Sequence, residues 1–220
     1  MADSVLSEAD LDRIRVAVGA AEKRTAGEIV PFVVRQSGDY DVSTWRAASV
    51  GALLAAAAAL GAAWLYDGWG LTWLYSSWAV EAATVLGGVV GALVGEYVPA
   101  ARRLLAGPGL LAETVHRRAA QAFLDEEVFT TRDRTGILLF VSLFEHRIEV
   151  VGDSGINAKV ETAEWVAVVD LVRAGIQRGD LAGGLVAAID LCGDLLHRRG
   201  VAVRDDDTDE LTDGVRLRDA

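Results

Sequence analysis

One cysteine, three histidines and three prolines are all that this chain of 220 residues holds of the side chains most used for redox, metal-ligand and turn chemistry. The lone Cys192 excludes an internal disulfide and a thiolate zinc site, and its apolar helical surroundings mark it as a buried structural thiol. His116, His146 and His197 fall in separate segments with no paired spacing, so each reads as a surface residue rather than a ligand or a base. Positive charge is also scarce: 21 Lys and Arg stand against 32 Asp and Glu, a formal net charge of -11. Nucleic-acid phosphates are bound by clustered basic side chains, and without such a cluster a nucleic-acid partner is excluded. Missing too are a metalloprotease HExxH, a phosphate-binding Gly-Lys-Ser/Thr loop, a Rossmann glycine fingerprint and a nucleophile-elbow serine. Met1 to Asp12 is polar and acidic, with no basic n-region or apolar h-region, so no cleavable signal peptide is expected.

What the chain does have is two long apolar runs. Charged residues make up 24% of the whole, yet Trp45 to Tyr66 carries only Arg46, at its start, and Trp78 to Val98 carries only Glu81 and Glu96, near its ends. Each run has roughly the 20 residues that a helix needs to cross a ~30 Å hydrocarbon core. The expectation is a transmembrane helical hairpin over 44–98, set in the lipid bilayer. Arg35, Arg46, Arg102 and Arg103 flank it on one side, while the turn Asp67 to Ser77 has no Lys or Arg. By the positive-inside rule both termini and the soluble domain are then cytoplasmic, at a bacterial inner membrane. Gly51, Ala55, Ala59 and Ala63 repeat every four residues in the first run, as Gly87, Gly91 and Gly95 do in the second. Small residues so spaced let helix backbones approach, within the hairpin or, as a homo-oligomer, between chains. Trp69, Trp73, Tyr75 and Trp78 fit an interfacial aromatic belt. Glu81 and Glu96 read as interfacial carboxylates, since the spans offer no partners for a conduction path.

Around the hairpin the pattern is soluble. Ser7 with Asp10 three residues on reads as a capping box, followed by a helix with its apolar stripe at Leu11, Ile14, Val18 and Ala21. Glu28 to Arg35 reads as a strand buried on both faces; Pro31 removes a ladder N–H and predicts an edge position or a bulge. Pro99 ends the second span, and Gly107-Pro108-Gly109 breaks a linker before a helix striped by Leu111, Val115, Ala119, Ala122 and Phe123. Ile137 to Leu143 and Arg147 to Val151 read as strands joined by a turn. Helices follow at about Thr162 to Arg178 and Leu181 to Arg199. These elements predict an α/β or α+β sandwich with helices covering a small mixed sheet, in four parts: 1–43, the first helix and strand; 44–98, the hairpin; 99–203, the rest of the domain; and 204–220, an acidic tail in which Leu211, Val215 and Leu217 can dock locally.

The remaining chemistry lies in acidic loop residues: Glu28, Asp133 and Asp153, with Asp39 and Asp41 as outliers. Loops at one end of a sheet can converge carboxylates on a hard cation such as Ca²⁺. Ordinary turn roles stay open for each, including an Asx-type turn at Asp153.

Four blocks in order, Thr25-Ala26-Gly27-Glu28-Ile29, Arg134 to Leu143, Phe144-Glu145-His146-Arg147 and Val151 to Asn157, resemble the TPM domain family, in particular its membrane-bound bacterial branch. Trp165 and the glycines Gly183 and Gly184 fit the same pattern. The resemblance implies an α/β/α sandwich around a small mixed sheet, an association with membranes and photosystem repair, a name linked to acid phosphatase activity, and calcium at loops on one end of the sheet. It assigns Glu28 and Asp153 to acidic positions of the family's motifs, with Thr135 where many soluble members have Asn. Two functions are then expected. One is a membrane-anchored interaction or quality-control module serving another membrane protein, with calcium bound at Glu28, Asp133 and Asp153. The alternative is a metal-assisted phosphatase acting on phosphomonoesters through the same three carboxylates.

Overall fold

A computed structural model describes residues 6–65, 76–203 and 210–218. Trp69, Trp73 and Tyr75 of the expected aromatic belt, and Asp205, Asp206, Asp207 and Asp209 of the acidic tail, lie outside the described residues. The chain divides into two units, Met1–Ser37 with Thr114–Ala220, and Gly38–Glu113.

The first unit starts with the capping box. The Ser7 hydroxyl accepts from Asp10 N–H at 3.2 Å and the Asp10 carboxylate accepts from Ser7 N–H at 3.1 Å, opening α1 (Glu8–Glu22). Its strands are β1 (Glu28–Val34), β2 (Gly136–Ser142), β3 (Arg147–Gly152) and β4 (Arg216–Arg218), in the spatial order β3-β2-β1-β4. β1 runs parallel to β2 and β4, and β2 antiparallel to β3, so the sheet is mixed.

Alternation of side chains along β1 and β2 explains their continuous apolar runs, because each face of the sheet has its own core. Ile29, Val33, Ile137, Leu139 and Val141 pack with residues of α1, α7 (Trp165–Arg178) and α8 (Leu181–Arg198). Val30, Phe32, Val34, Leu138 and Phe140 pack with Val115, Ala119 and Ala122 of α5 (Pro108–Asp125). Phe32 and Phe140 are in register on neighbouring strands, their rings stacked with centroids 5.5 Å apart. The helices α7 and α8 meet at glycine: a Cβ on Gly175 would lie 2.6 Å from the Gly184 Cα.

Pro31 does not put β1 at the edge of the sheet, contrary to the sequence expectation, and the reason is in the ladder. Glu28 N–H donates to the Thr135 carbonyl at 3.2 Å, and Arg35 N–H to the Arg218 carbonyl at 3.3 Å. Successive residues of a strand alternate between neighbours, so even-numbered residues of β1 serve β2 and odd-numbered ones serve β4. Pro31 therefore lacks its N–H on the β4 side only. The β1–β2 register runs unbroken from Glu28 to Val34, whereas β4 pairs only with Phe32 to Val34, just past the proline.

The second unit holds α2 (Asp41–Leu65), α3 (Ser77–Tyr97) and α4 (Pro99–Ala106). The α4 segment is a helix rather than the expected linker, because Pro99 sits at its first position, where the missing N–H costs nothing. Arg46 of α2 donates to the carbonyls of Leu105 at 2.6 Å and Ala106 at 3.2 Å, satisfying free acceptors at the α4 C-terminus. α2 and α3 pack through small residues: a Cβ on Gly51 would stand 2.3 Å from the Gly87 carbonyl oxygen, and one on Gly91 would stand 2.2 Å from that of Ala47. These repeats serve contact within one chain. Thr44 donates to Glu96 at 3.0 Å, giving this carboxylate a partner near the end of α3.

Candidate functional site

The N-terminal ends of β1 and β2 and the C-terminal end of β3 bring together three of the sequence blocks. Thr135 Oγ1 donates to the Ala26 carbonyl at 2.7 Å, Asp153 N–H to that of Gly136 at 2.9 Å, and Gly155 N–H to that of Arg134 at 2.9 Å. The close approach requires glycine at 155, where a Cβ would lie 2.3 Å from the Asp133 carbonyl oxygen.

Each expected ligand has a distinct place here. Glu28 is the first residue of β1, nearly buried, and its carboxylate accepts main-chain N–H groups of Glu210 at 3.2 Å and Leu211 at 3.4 Å. Asp153 is the N-cap of the short helix α6 (Ser154–Asn157); its Oδ1 accepts from Ser154 N–H at 2.6 Å. Its side chain is 4% exposed and faces Arg134, whose Nε is 3.1 Å from Oδ1 and 2.9 Å from Oδ2. Only the Oδ1 contact has hydrogen-bond geometry, so Oδ2 is held by charge alone. Asp133 is exposed on the preceding loop.

Arg134 adopts a left-handed backbone, φ 57°, to reach this position. A non-glycine residue there carries strain, which the ion pair with a buried carboxylate offsets. The guanidinium supplies the positive charge that Asp153 needs. Calcium takes six to eight oxygen ligands, and here one carboxylate is committed to an arginine and another to main-chain donors. Among the described residues no three His, Cys, Asp or Glu side chains gather as a metal ion requires. The expected set Glu28, Asp133 and Asp153 does not fit Ca²⁺. The sequence signal that could have found the pairing is the basic residue that opens the Arg134 to Leu143 block.

At the opposite end of β2 lies a polar cluster that sequence reasoning missed. Ser142, the one polar residue of an apolar strand, donates to Glu145, its hydroxyl is 2.7 Å from that of Ser37, and Glu145 accepts from Ser37 N–H at 2.9 Å. All three residues are buried. A serine hydroxyl against a carboxylate has the parts of an activated nucleophile, and Glu145 is also committed to the Ser37 main chain. The cluster locks the β2–β3 turn onto the segment after β1.

A groove of about 500 Å³ follows β3, lined by Ile148, Val150, Trp165, Val166 and Val169 among others. On one wall His116 Nδ1 lies 3.1 Å from Glu149, and on the other Arg173 pairs with Asp170 within α7.

No family model and no curated protein matches the chain. Among solved structures it is similar to the NMR structure of BA42 protein from the psychrophilic bacterium Bizionia argentinensis, with a TM-score of 0.60 over 99% of each chain and 18% identity. A likeness at that identity bears on the fold alone, and it agrees with a mixed α/β architecture.

Proposed function

We propose that this chain is a membrane-anchored interaction module: a TPM-like α/β/α domain held to the bacterial inner membrane by the α2–α3 hairpin. The domain and both termini face the cytoplasm, where the domain serves the quality control of another membrane protein. The observation that carries the reading is the outward face of the hairpin. Leu53, Leu54, Leu60 and Trp64 on α2, with Val85, Leu86, Val89 and Val90 on α3, are all exposed. Soluble monomers rarely show contiguous apolar patches beyond a few hundred Å². Both helices are long and apolar enough to cross a membrane, and hydrocarbon is the solvent that matches this surface. The arginines of one flank favour the cytoplasmic side. A phosphatase reading needs three carboxylates on one ion, and two of the three are engaged elsewhere.

The test is topological. The chain should stay in the pellet after alkaline carbonate extraction of membranes. An alkaline phosphatase reporter should be inactive when fused after Ala220 and active when placed within residues 67–75. Extraction by carbonate, or an active fusion after Ala220, would refute the anchor or its direction respectively.

A further inference from the structure

The C-terminal segment is the part of the fold that the anchor reading leaves without a role. Residues 210–218 lie along one edge of β1, and the short ladder they form covers only Phe32 to Val34. Ion pairs add to the ladder. Glu126 receives both arginines of β4, Arg216 Nε at 3.0 Å on one oxygen and Arg218 Nη2 at 3.3 Å on the other. Leu217 between them is 41% exposed, so the segment reads as basic, apolar, basic, with both charged ends on one carboxylate. Upstream, Glu28 accepts two main-chain N–H groups of the segment, Leu211 packs on the Phe32–Phe140 core, and Val215 packs on the other core.

Lifting the segment would expose a strand edge with N–H groups at Val33 and Arg35, and would take from Glu28 and Glu126 the donors that these residues now hold. Such an edge must be covered by something extended that brings main-chain hydrogen bonds and two positive charges. This is the logic of strand addition, in which the backbone provides affinity and alternate side chains provide specificity. Cytoplasmic segments that flank membrane spans carry an excess of Lys and Arg, the charge that Glu126 selects.

We infer that the Phe32–Val34 edge with Glu126 is a docking site for a basic–apolar–basic juxtamembrane segment of another membrane protein, filled in cis by Arg216-Leu217-Arg218. The inference rests on the reading of the domain as a cytoplasmic interaction module and names the partner of that module. The tail acts as a competitor: a tethered segment presents itself at an effective concentration on the order of millimolar, so only partners concentrated at the same membrane displace it. The net charge of -11 and the run Asp205, Asp206, Asp207 and Asp209 next to Glu210 in the sequence favour cationic partners over acidic ones.

The test uses the full chain in lipid nanodiscs and fluorescein-labelled peptides read by anisotropy. The probes are residues 210–218, a variant with glutamates at both arginine positions, and two peptides in which Lys-Val-Arg or Arg-Ile-Lys replaces Arg216-Leu217-Arg218. The protein carrying Arg216→Glu and Arg218→Glu should bind all three basic peptides at least tenfold more tightly than the unaltered chain, and the acidic peptide not at all. Adding Glu126→Arg to that protein should close the edge again and return basic-peptide binding to the unaltered level or below. Hydrogen exchange at the Val33 and Arg35 amides gives a reading independent of affinity: it should speed up in the opened protein and slow again with basic peptide. Equal binding of the acidic peptide, or unchanged exchange at these amides, overturns the inference. Binding of the 210–218 peptide alone, with dimers of the opened chain, would mean strand exchange between copies and also overturns it. Reporter fusions judge the anchor reading separately, because peptide binding in nanodiscs does not depend on which side the domain faces in the cell.

Discussion

Cysteines placed at Ala52 and Gly88 should lock α2 to α3 within a single chain. A Cβ built on Gly88 lies 3.5 Å from the Ala52 Cβ, at the short end of the ~3.5–4.5 Å separation that disulfides take. The native thiol does not compete, because burial pushes Cys192 up to about 12 and keeps it protonated. Sensitivity to the seam follows from one neighbour. A Cβ on Gly91 would stand 2.2 Å from the Ala47 carbonyl oxygen, where ordinary contact begins at 3.4 Å, so Gly91→Ala must part the helices locally by the difference, 1.2 Å. Added to the Cβ separation, that parting takes the cysteine pair beyond the bonding range. Overpacking of this kind costs ~1–3 kcal/mol, or roughly a five- to hundredfold loss of the closed pair at 1.4 kcal/mol per tenfold. Membranes carrying the double-cysteine chain, oxidised with copper phenanthroline and run on a non-reducing gel, should give a faster-migrating monomer, and Gly91→Ala should cut its yield at least about fivefold. A cross-linked dimer in its place would show that the glycine repeats join chains rather than helices. A yield unchanged by Gly91→Ala would refute the close-packed seam.

Three further outcomes concern the soluble unit. Arg134→Gln leaves the buried Asp153 carboxylate without its cation and should lower stability by about 1–3 kcal/mol in a denaturant titration; millimolar calcium should neither restore the variant nor raise the melting temperature of the unaltered chain. The Arg199 guanidinium beside Glu164 holds its carboxyl below its ordinary value of 4.5. The unfolded chain therefore takes up that proton first, so the pair's contribution is present above pH 4.5 and lost as pH falls through the lower folded value. Melting curves of Glu164→Gln should accordingly lie below those of the unaltered chain near pH 6 and converge with them on acidification. Phe140→Ala removes a fully buried ring stacked on Phe32 and should cost about 3–5 kcal/mol, read as a lower urea midpoint at constant slope.

The elements that could be read from the sequence are those with a strong one-dimensional signal. The Ser7–Asp10 pair located α1, unbroken apolar runs located β1 and β2, and length with composition located α2 and α3. What escaped was decided by contacts distant in sequence. Three residues, Arg216 to Arg218, carry no strand periodicity, and they become β4 only because Glu126 and the β1 edge are there to receive them. Pro31 announces a missing donor in the sequence, but which neighbour loses that donor depends on strand parity, which only the assembled sheet defines. At the loop end, Asp153 and Arg134 were both visible, yet their pairing rests on the left-handed turn at Arg134. The buried Ser37–Ser142–Glu145 cluster left only a faint trace, a serine closing an apolar strand with a glutamate three residues on.

Pro31 has one more effect, and it concerns self-association. An apolar strand with an accessible edge is a template on which identical chains can stack into fibrils. On the β4 side of β1 the proline removes the donor that precedes Val33, so an invading strand finds N–H groups at Val33 and Arg35 and then a gap. The edge can take a short guest, but it cannot propagate a continuous cross-β ladder.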